Sequence, residues 1–211
     1  MGFLIDISSN NGRVDFVPVK RAGIEGAIIK ATEGKTYVNP YWKPQREDAG
    51  KIGFRVGAYH YARPDSNPFG AKAEAEHFCS VVGKLNRTDI KPVLDLEVYS
   101  NTISHEQLTA WSRDFNRVVK DTLGVWPMFY SYSSFITSMQ ASKPIGNGLW
   151  LAHYSRNDGY EHGYSVPAPW KKVVAHQFTS RGRVAGVSGE VDLSSFARLR
   201  PLLAKPIAGW L

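Results

Sequence analysis

The stretch PVLDLEVYSNTISHEQLTAWSRDFNRVVKDTLG, residues 92–124, contains both kinds of element from which the fold is inferred. Residues 91–98 are rich in β-branched and apolar side chains, which predicts a strand. Apolar side chains then recur at a period near 3.6, which predicts an amphipathic helix. Ser104 and Gln107 have the spacing of a capping box, and Gly124 stands where a left-handed C-terminal cap is expected. The side chains on the apolar stripe are Leu108, Trp111, Phe115, Val118, Val119 and Thr122.

Strand-like runs of the same kind recur along the whole sequence. The eight runs are at residues 3–7, 26–31, 55–61, 91–98, 127–131, 149–154, 173–178 and 190–193. Helix-compatible stretches at residues 41–51 and 68–82 separate the second, third and fourth runs. Alternation of strand and helix is typical of parallel strands with crossover helices, so we expect an α/β sheet or barrel.

The pattern changes after the sixth strand run. Residues 155–170 are interrupted by glycine and proline, and residues 181–189 are rich in glycine, so no crossover helix fits either connection. We therefore predict a single barrel domain over residues 1–204, in which helices follow the early strands and loops join the last ones. A final helix is expected at residues 194–203, and a short tail at residues 205–211.

Length and composition allow a full hydrophobic core, since the chain has 211 residues of which 43% are hydrophobic. The single cysteine, Cys79, cannot form an internal disulfide, and its helical spacing from Ala75 and Val82 favours core packing. No apolar run approaches the roughly 20 residues that cross a bilayer, and the first residues lack the regions of a secretory signal. We expect a soluble protein that does not insert into a membrane.

The chain is basic, with a formal net charge of +7. Such a charge favours encounter with a polyanion, which could be nucleic acid, an anionic membrane surface or an acidic wall polymer. The basic residues are scattered and form no recognisable nucleic-acid module, so most are expected to lie on a solvated surface.

Asp95 and Glu97 are the first candidates for chemistry. Alternate side chains of a strand share a face, so these two carboxylates point the same way, with Cα atoms about 6.5 to 7 Å apart. Two like charges this close on a partly desolvated strand end raise the pKa of one of them. A carboxyl group that keeps its proton at neutral pH is what a general acid requires.

Asp6 and Asp192 are the second pair of candidates, because Asp6 ends the first strand run and Asp192 lies in the last. In a parallel barrel these two strands are neighbours, and active sites collect at the C-terminal ends of such strands. Four acids are therefore expected to converge. The alternatives are a loop cap made by Asp6 and an N-cap made by Asp192 for the final helix.

Several ordered segments together resemble the lysozymes of glycoside hydrolase family 25, the N-acetylmuramidases found in phage endolysins, bacteria and some fungi. The resemblance extends over nearly the whole chain in order. The matching segments are Asp6-Ile-Ser8 with Asn11-Gly12, Ile29-Lys-Ala-Thr-Glu-Gly34, Gly57-Ala-Tyr-His-Tyr61, residues 92–97, Leu149-Trp-Leu-Ala-His-Tyr154, Gln177-Phe-Thr-Ser180 and Gly189-Glu-Val-Asp-Leu193.

The resemblance implies a modified TIM-like barrel of five β/α units followed by three further strands. It assigns Glu97 as the general acid and Asp95 as its acidic neighbour, with Asp6 and Asp192 completing an acidic floor. It also implies a sugar groove lined by Glu33, Tyr59, Tyr130, Trp150 and Gln177. Direct attack, inversion and participation of the substrate's acetamido group all stay open. The chain departs from the family pattern at two positions. His176 stands just before Gln177, where the family usually has an aromatic residue, and Phe16 replaces a common tryptophan after Asp15.

Other kinds of chemistry find little support in the sequence. His60, His153 and His176 are interpreted as core histidines, and no ligand spacing indicates zinc or another metal. No serine has a Gly-x-Ser-x-Gly setting, and no glycine loop would cradle a phosphate, so no cofactor is expected. Two other functions stay open: a chitinase-like or other glycan hydrolase, and a non-catalytic cell-wall sugar-binding relative.

The resemblance also bears on partners and location. It implies bacterial peptidoglycan as the substrate, with anionic wall polymers as a second contact, and no nucleic acid. We expect a monomer. A phage endolysin would accumulate in the host cytoplasm and then act on the cell wall, whereas a bacterial enzyme would act outside the cell.

Overall fold

The computed structural model describes residues 1–100 and 102–204, and the tail expected at residues 205–211 lies outside this part. Nine strands are assigned within the described ranges: β1 (Gly2–Ile7), β2 (Ile24–Glu33), β3 (Tyr37–Val38), β4 (Arg55–Tyr61), β5 (Val93–Asp95), β6 (Met128–Tyr132), β7 (Leu149–Ala152), β8 (Val173–Gly182) and β9 (Val191–Phe196). The α-helices of the same ranges are α1 (Phe16–Arg21), α2 (Trp42–Lys51), α3 (Gly70–Val82), α4 (His105–Leu123) and α5 (Ser133–Met139). None of these described helices is both long and apolar enough to span a membrane.

The sheet closes into a barrel, because β1 pairs with both β2 and β9. Around the barrel the strand order is β1, β2, β4, β5, β6, β7, β8 and β9. The short strand β3 pairs with the C-terminal end of β2. Neighbours from β1 to β8 are parallel, whereas β9 is antiparallel to both β8 and β1. The predicted α/β class and modified TIM-like barrel are confirmed.

The division into five β/α units and three further strands is also confirmed. Helices α1 to α5 follow β1, β2 with its β3 extension, β4, β5 and β6, and no α-helix stands between β7, β8 and β9 in the described chain. The caps of α4 are those predicted: Ser104 and Gln107 form the capping box, and Gly124 adopts a left-handed conformation with φ 77°.

Two predictions about the last strand were wrong. The strand is antiparallel to β1 and not parallel, and the helix expected at residues 194–203 does not form. Residues through Phe196 continue β9, because their backbone groups are taken up by ladders on both sides. Pro201 lacks an N–H group, and only a short 3-10 turn, Arg200–Leu202, follows. The fourth strand is also shorter than predicted, so Glu97 lies two residues beyond its end.

The barrel interior is packed around Ile90, which is fully buried together with Leu4, Ile28, Val93 and Met128. Two strand glycines make room for it. A Cβ atom added at Gly57 would lie 2.9 Å from the Cβ of Ile90, and one at Gly26 would lie 2.9 Å from its Cδ1. The absence of a side chain at these two positions therefore lets Ile90 fill the barrel.

Gly57→Ala is expected to destabilise the protein by about 1–3 kcal/mol, because the added methyl group overpacks the interior against Ile90. The matched control is Gly50→Ala in α2, where a Cβ meets nothing within 4 Å. That change should leave stability unchanged or raise it by about 0.5–1 kcal/mol, since alanine is the better helix former. Urea unfolding measures both; equal stabilities for the two variants would contradict this packing.

Candidate active site

The four candidate acids lie at one end of the barrel. Asp6 is near the C-terminal end of β1 and stands directly opposite Asp192 in the ladder between β1 and β9. Because β9 runs antiparallel, the beginning of this strand meets the end of β1. Asp95 is the last residue of β5, and Glu97 follows it at the rim. The antiparallel strand thus brings Asp192 to the end of the barrel where the parallel strands deliver the other acids.

All four acids line one open cavity of about 290 Å³. A second hollow of about 460 Å³ adjoins it, and Glu97 and Tyr154 line both. Together they form a groove across the C-terminal rim of the barrel. The other residues that line the first cavity are Ser8, Asn10, Lys30, Tyr59, Tyr61, Tyr130, Trp150 and Tyr154.

Asp95 and Glu97 form a hydrogen-bonded carboxyl pair. Burial raises the pKa of Asp95 well above its usual value, and the charge of Glu97 raises it further. The Oδ1 atom of Asp95 is buried and receives no hydrogen bond from any described residue, which also disfavours a charge there. Burial raises the pKa of Glu97 as well, although the hydrogen bond from Asp95 and the charge of Lys30 oppose this. Both shifts oppose ionisation, so a state in which one member of the pair keeps its proton is favoured over a state in which both are charged.

Asp6 and Asp192 form a second pair of the same kind. Burial is the largest cause that raises the pKa of Asp6, and the charge of Asp192 adds to it. Hydrogen bonds from Gln177 favour the ionised form of Asp6, but burial prevails. Burial raises the pKa of Asp192 to about 6. Asp192 is therefore the member of this pair that carries the negative charge at neutral pH.

Gln177 is buried beneath the acids and does not line the cavity. Its Nε2 donates to both carboxylate oxygens of Asp6, at 3.0 and 2.9 Å. Its Oε1 accepts hydrogen bonds from the hydroxyl groups of Tyr130, at 2.7 Å, and Tyr154, at 2.6 Å. All of its polar capacity is thus used inside the protein, so Gln177 positions other residues and has no group left for a sugar.

The predicted aromatic residues are brought together at the cavity. Tyr59, Tyr130 and Trp150 all line it, with the rings of Tyr130 and Trp150 4.5 Å apart. The indole Nε1 of Trp150 donates to the Oγ of Ser194 at 2.9 Å, which fixes the ring. Burial raises the pKa of Tyr59 and of Tyr130 well above the usual value, so both phenols keep their protons as hydrogen-bond donors.

Glu33 is not among the residues that line the cavity. Its carboxylate accepts hydrogen bonds from the side chains of Arg63, at 2.8 and 2.6 Å, and Lys30, at 2.5 Å. Lys30 does line the cavity, and its ammonium lies 4.8 Å from the ring centre of Tyr61. Sequence reasoning missed Lys30, although it belongs to the same segment as Glu33. The available signal was the alternation of side chains in the strand: Ile29 and Ala31 point into the core, so Lys30 between them points to the opposite face.

His60 and His176 lie away from the groove, whereas His153 is partly exposed and lines the second hollow, so it is not the core histidine that the sequence predicted. His60 is fully buried, and its ring nitrogens contact Thr32 and Glu74, each at 2.8 Å, as expected of a core histidine. Burial lowers the pKa of His60. His176 is also buried and contacts the carboxylate of Glu161 and the backbone oxygen of His153.

Comparison with known proteins identifies the family of the chain. The family model for glycosyl hydrolases family 25 matches residues 5–187. The chain belongs to glycosyl hydrolase family 25. A solved bacterial lysozyme from Streptomyces coelicolor is 29% identical and has a TM-score of 0.84, over 93% of this chain and 92% of that one. The resemblance inferred from the ordered segments is confirmed.

Curated relatives in the family are longer than this chain. The autolytic lysozyme of Clostridium acetobutylicum is 34% identical over 92% of this chain and 55% of its own length. The lysozyme of Streptococcus phage Cp-7 is 32% identical over 74% of this chain and 44% of its own length. The matched region thus covers about half the length of these two relatives.

Asp192→Asn is expected to be more stable than the parent at pH 7.5, by up to about 3 kcal/mol. The pKa of Asp192 is about 6 in the folded chain against an ordinary value of 3.8, so the folded protein binds this proton more tightly than the unfolded chain. Stability is therefore lost as pH rises through this interval, and asparagine avoids the loss. Calorimetric midpoints at pH 7.5 and pH 3.5 measure the difference, which should vanish at the lower pH.

The control for this change is Asp158→Asn. Asp158 is exposed, and a hydrogen bond with His162 lowers its pKa, so its removal should bring no gain at pH 7.5. Equal midpoints of Asp192→Asn and the parent at both pH values would contradict the assigned cost of ionising Asp192.

Proposed function

We propose that this family 25 protein is a lysozyme, an N-acetylmuramidase that hydrolyses the β-1,4 bond between N-acetylmuramic acid and N-acetylglucosamine in bacterial peptidoglycan. The observation that carries the proposal is the hydrogen-bonded Asp95–Glu97 pair at the wall of an open groove, where burial raises the pKa of both carboxyl groups. Cleavage of a glycosidic bond needs a proton for the leaving oxygen and negative charge beside an oxocarbenium-like transition state. The two acid pairs supply both.

Glu97 is the member of its pair that acts as general acid. It lines both hollows of the groove, whereas Asp95 is buried and 5% exposed. The proton moves from Asp95 to Glu97 across their hydrogen bond, Glu97 gives it to the glycosidic oxygen, and the bond between that oxygen and the anomeric carbon breaks. Asp95 orients Glu97 through their hydrogen bond and keeps the proton in the pair until the leaving group takes it.

Asp192 and Asp6 act on the sugar whose anomeric carbon loses the leaving oxygen. The ionised Asp192 places negative charge in the same cavity as Glu97, where it stabilises the positive charge that develops at the anomeric carbon. A carboxylate in this position serves direct attack, activation of water, or orientation of the substrate's acetamido group. Glu97 has the same role in each of the three routes.

The aromatic wall of the groove suits a sugar polymer. The partly exposed rings of Tyr59, Tyr61 and Tyr154 line the cavity, and flat aromatic faces pack on the apolar faces of sugars while phenols bond to hydroxyl groups. Trp150 and Tyr130 are buried behind them and support this wall. The two remaining alternatives are weaker. A non-catalytic sugar-binding protein would not need two buried acid pairs that cost stability. A chitinase-like site usually has a longer series of alternating acids than Asp95 and Glu97.

We further propose that the protein is a monomer that acts on the host wall as a phage lysis enzyme. The similarity to the lysozyme of Streptococcus phage Cp-7 supports this origin. Such an enzyme accumulates in the host cytoplasm and reaches the wall when the membrane opens; a secreted bacterial enzyme is the alternative. The net charge of +7 would favour its encounter with anionic walls.

Purified protein is expected to solubilise peptidoglycan and to leave new reducing ends at muramic acid, which mass spectrometry of the products identifies. Glu97→Gln should lower the rate by about 10²- to 10⁴-fold, because the amide cannot give a proton to the leaving oxygen. The control is Glu76→Gln on the exposed face of α3, which should keep full activity. Reducing ends at N-acetylglucosamine, free peptides, or full activity of Glu97→Gln would each overturn the proposal.

A further inference from the structure

We propose that a groove at the N-terminal rim of the barrel, opposite the acid site, binds an acidic glycan. This groove, the Trp126 groove, has a volume of about 400 Å³. Residues from α4 and from the segments that precede β6 and β7 line it. They include Arg113, Asn116, Arg117, Trp126, Gly146 and Asn147.

The chain order separates this groove from the acid site. Trp126 lies two residues before β6, and Asn147 lies two residues before β7. Both strands run parallel to β5, whose C-terminal end carries Asp95. The Trp126 groove is therefore at the end of the barrel where these strands begin, and a ligand bound there does not occupy the cavity of the acids.

Asn116 gives the clearest sign of a ligand. Its side chain is 1% exposed, and neither its Nδ2 nor its Oδ1 has a hydrogen-bond partner in the described chain. A buried amide without partners is costly, and such groups are rare in folded proteins. Because Asn116 lines the groove, a hydroxyl or acetamido group entering it could both accept from Nδ2 and donate to Oδ1.

Trp126 supplies a flat surface beside this amide. Its side chain is 43% exposed, whereas the indole of Trp150 in the barrel interior is 2% exposed. An exposed indole beside polar groups is the arrangement that packs on a sugar ring. Gly146, on another wall, has φ +73° and no space for a Cβ, which would lie 2.7 Å from the backbone oxygen of Pro127. The backbone here is therefore close-packed and carries no side chain into the groove.

The charge of the groove sets the class of sugar. Arg113 is exposed and makes no ion pair with any residue of the described ranges. Arg117 has only a long contact, 3.7 Å, with Asp114, and both side chains are more than half exposed. Lys91 adds a third positive charge beside the groove, because its Nζ lies 3.5 Å from the backbone oxygen of Asn147. Two guanidinium groups free to bind beside an indole fit a glycan that bears carboxylates or phosphates.

Wall polymers combine these properties, and this choice of ligand rests on the proposed function. Acidic groups occur both on peptidoglycan strands and on phosphate-containing accessory polymers of walls. A second contact at the far end of the barrel would hold the enzyme on the wall while the acid site releases its product. The enzyme would stay bound to the wall for longer, because two weak sites on one molecule together dissociate more slowly than either site alone.

The test is a sedimentation assay on insoluble walls with protein made inactive by Glu97→Gln, so that failure of the proposed chemistry does not affect it. Trp126→Ala, and separately the double change Arg113→Gln with Arg117→Gln, should each weaken binding at least about fivefold. The control is the double change Lys171→Gln with Lys172→Gln, which removes the same charge elsewhere and should have little effect. Acid-extracted peptidoglycan and unextracted walls are compared, because a loss restricted to unextracted walls assigns the accessory polymer.

Asn116→Ala separates binding from folding. Since its amide has no partner in the described chain, the variant should keep or raise the thermal midpoint while losing wall binding. With Glu97 intact, Trp126→Ala should keep the parent rate on short soluble fragments, which do not reach the second groove. Unchanged wall binding of the groove variants would overturn the proposal, as would an equal loss in the lysine control.

Discussion

The amide of Gln177 joins four parts of the barrel at the end where the acids lie. From β8 it donates to Asp6 on β1 and accepts from Tyr130 on β6 and from Tyr154, which follows β7. Because both of its amide atoms are fully used and the side chain is 1% exposed, the geometry leaves little freedom. The orientation of Asp6 follows from this contact, and the position of Asp192 follows from Asp6 through the ladder of β1 and β9.

Burial of the four acids lowers the stability of the folded protein at a pH where they ionise. Burial raises the pKa of Asp6, Asp95, Glu97 and Asp192, so ionising any of them in the folded chain is less favourable than in water. Lys30 offsets part of this cost at Asp95 and Glu97, and Glu33 together with Arg63 holds Lys30 and its surroundings in place. Perturbed carboxyl groups collected at an open rim are typical of functional sites, where stability is given up for chemistry.

The local pattern of the sequence was sufficient for much of the fold. The period of the helix after β5, its capping box and Gly124 are local signals, and the structure has all three. The direction of β9 could not be predicted in this way, because alternation in a strand does not state which way it runs. The final helix was predicted from a segment whose strand character arises from pairing with β1 and β8. Tertiary pairing overrides local propensity in such segments.

The candidate site could also be predicted only in part, because some of its contacts join residues that are distant in the chain. Asp95 and Glu97 are two positions apart, so their proximity follows from their spacing in the chain, although Glu97 lies beyond the end of β5. Gln177 and Asp6 are 171 positions apart, and only the closed barrel shows that the amide of Gln177 donates to this acid. Glu33 was assigned to the groove, but its partners Lys30 and Arg63 hold it outside the lining, and Lys30 takes that place. Contacts between distant side chains carry no signal in a single sequence.

The most direct measurement is a carbon-13 NMR titration of the side-chain carboxyl groups in the intact protein. The account predicts that the Asp95–Glu97 pair keeps one proton at pH 7, because burial and the neighbouring charge prevent both groups from ionising. The titration of this pair should therefore extend above that of the exposed Asp158, whose pKa is lowered. If Asp95 and Glu97 are both fully ionised at pH 7 and titrate near the ordinary values of aspartate and glutamate, the account is contradicted.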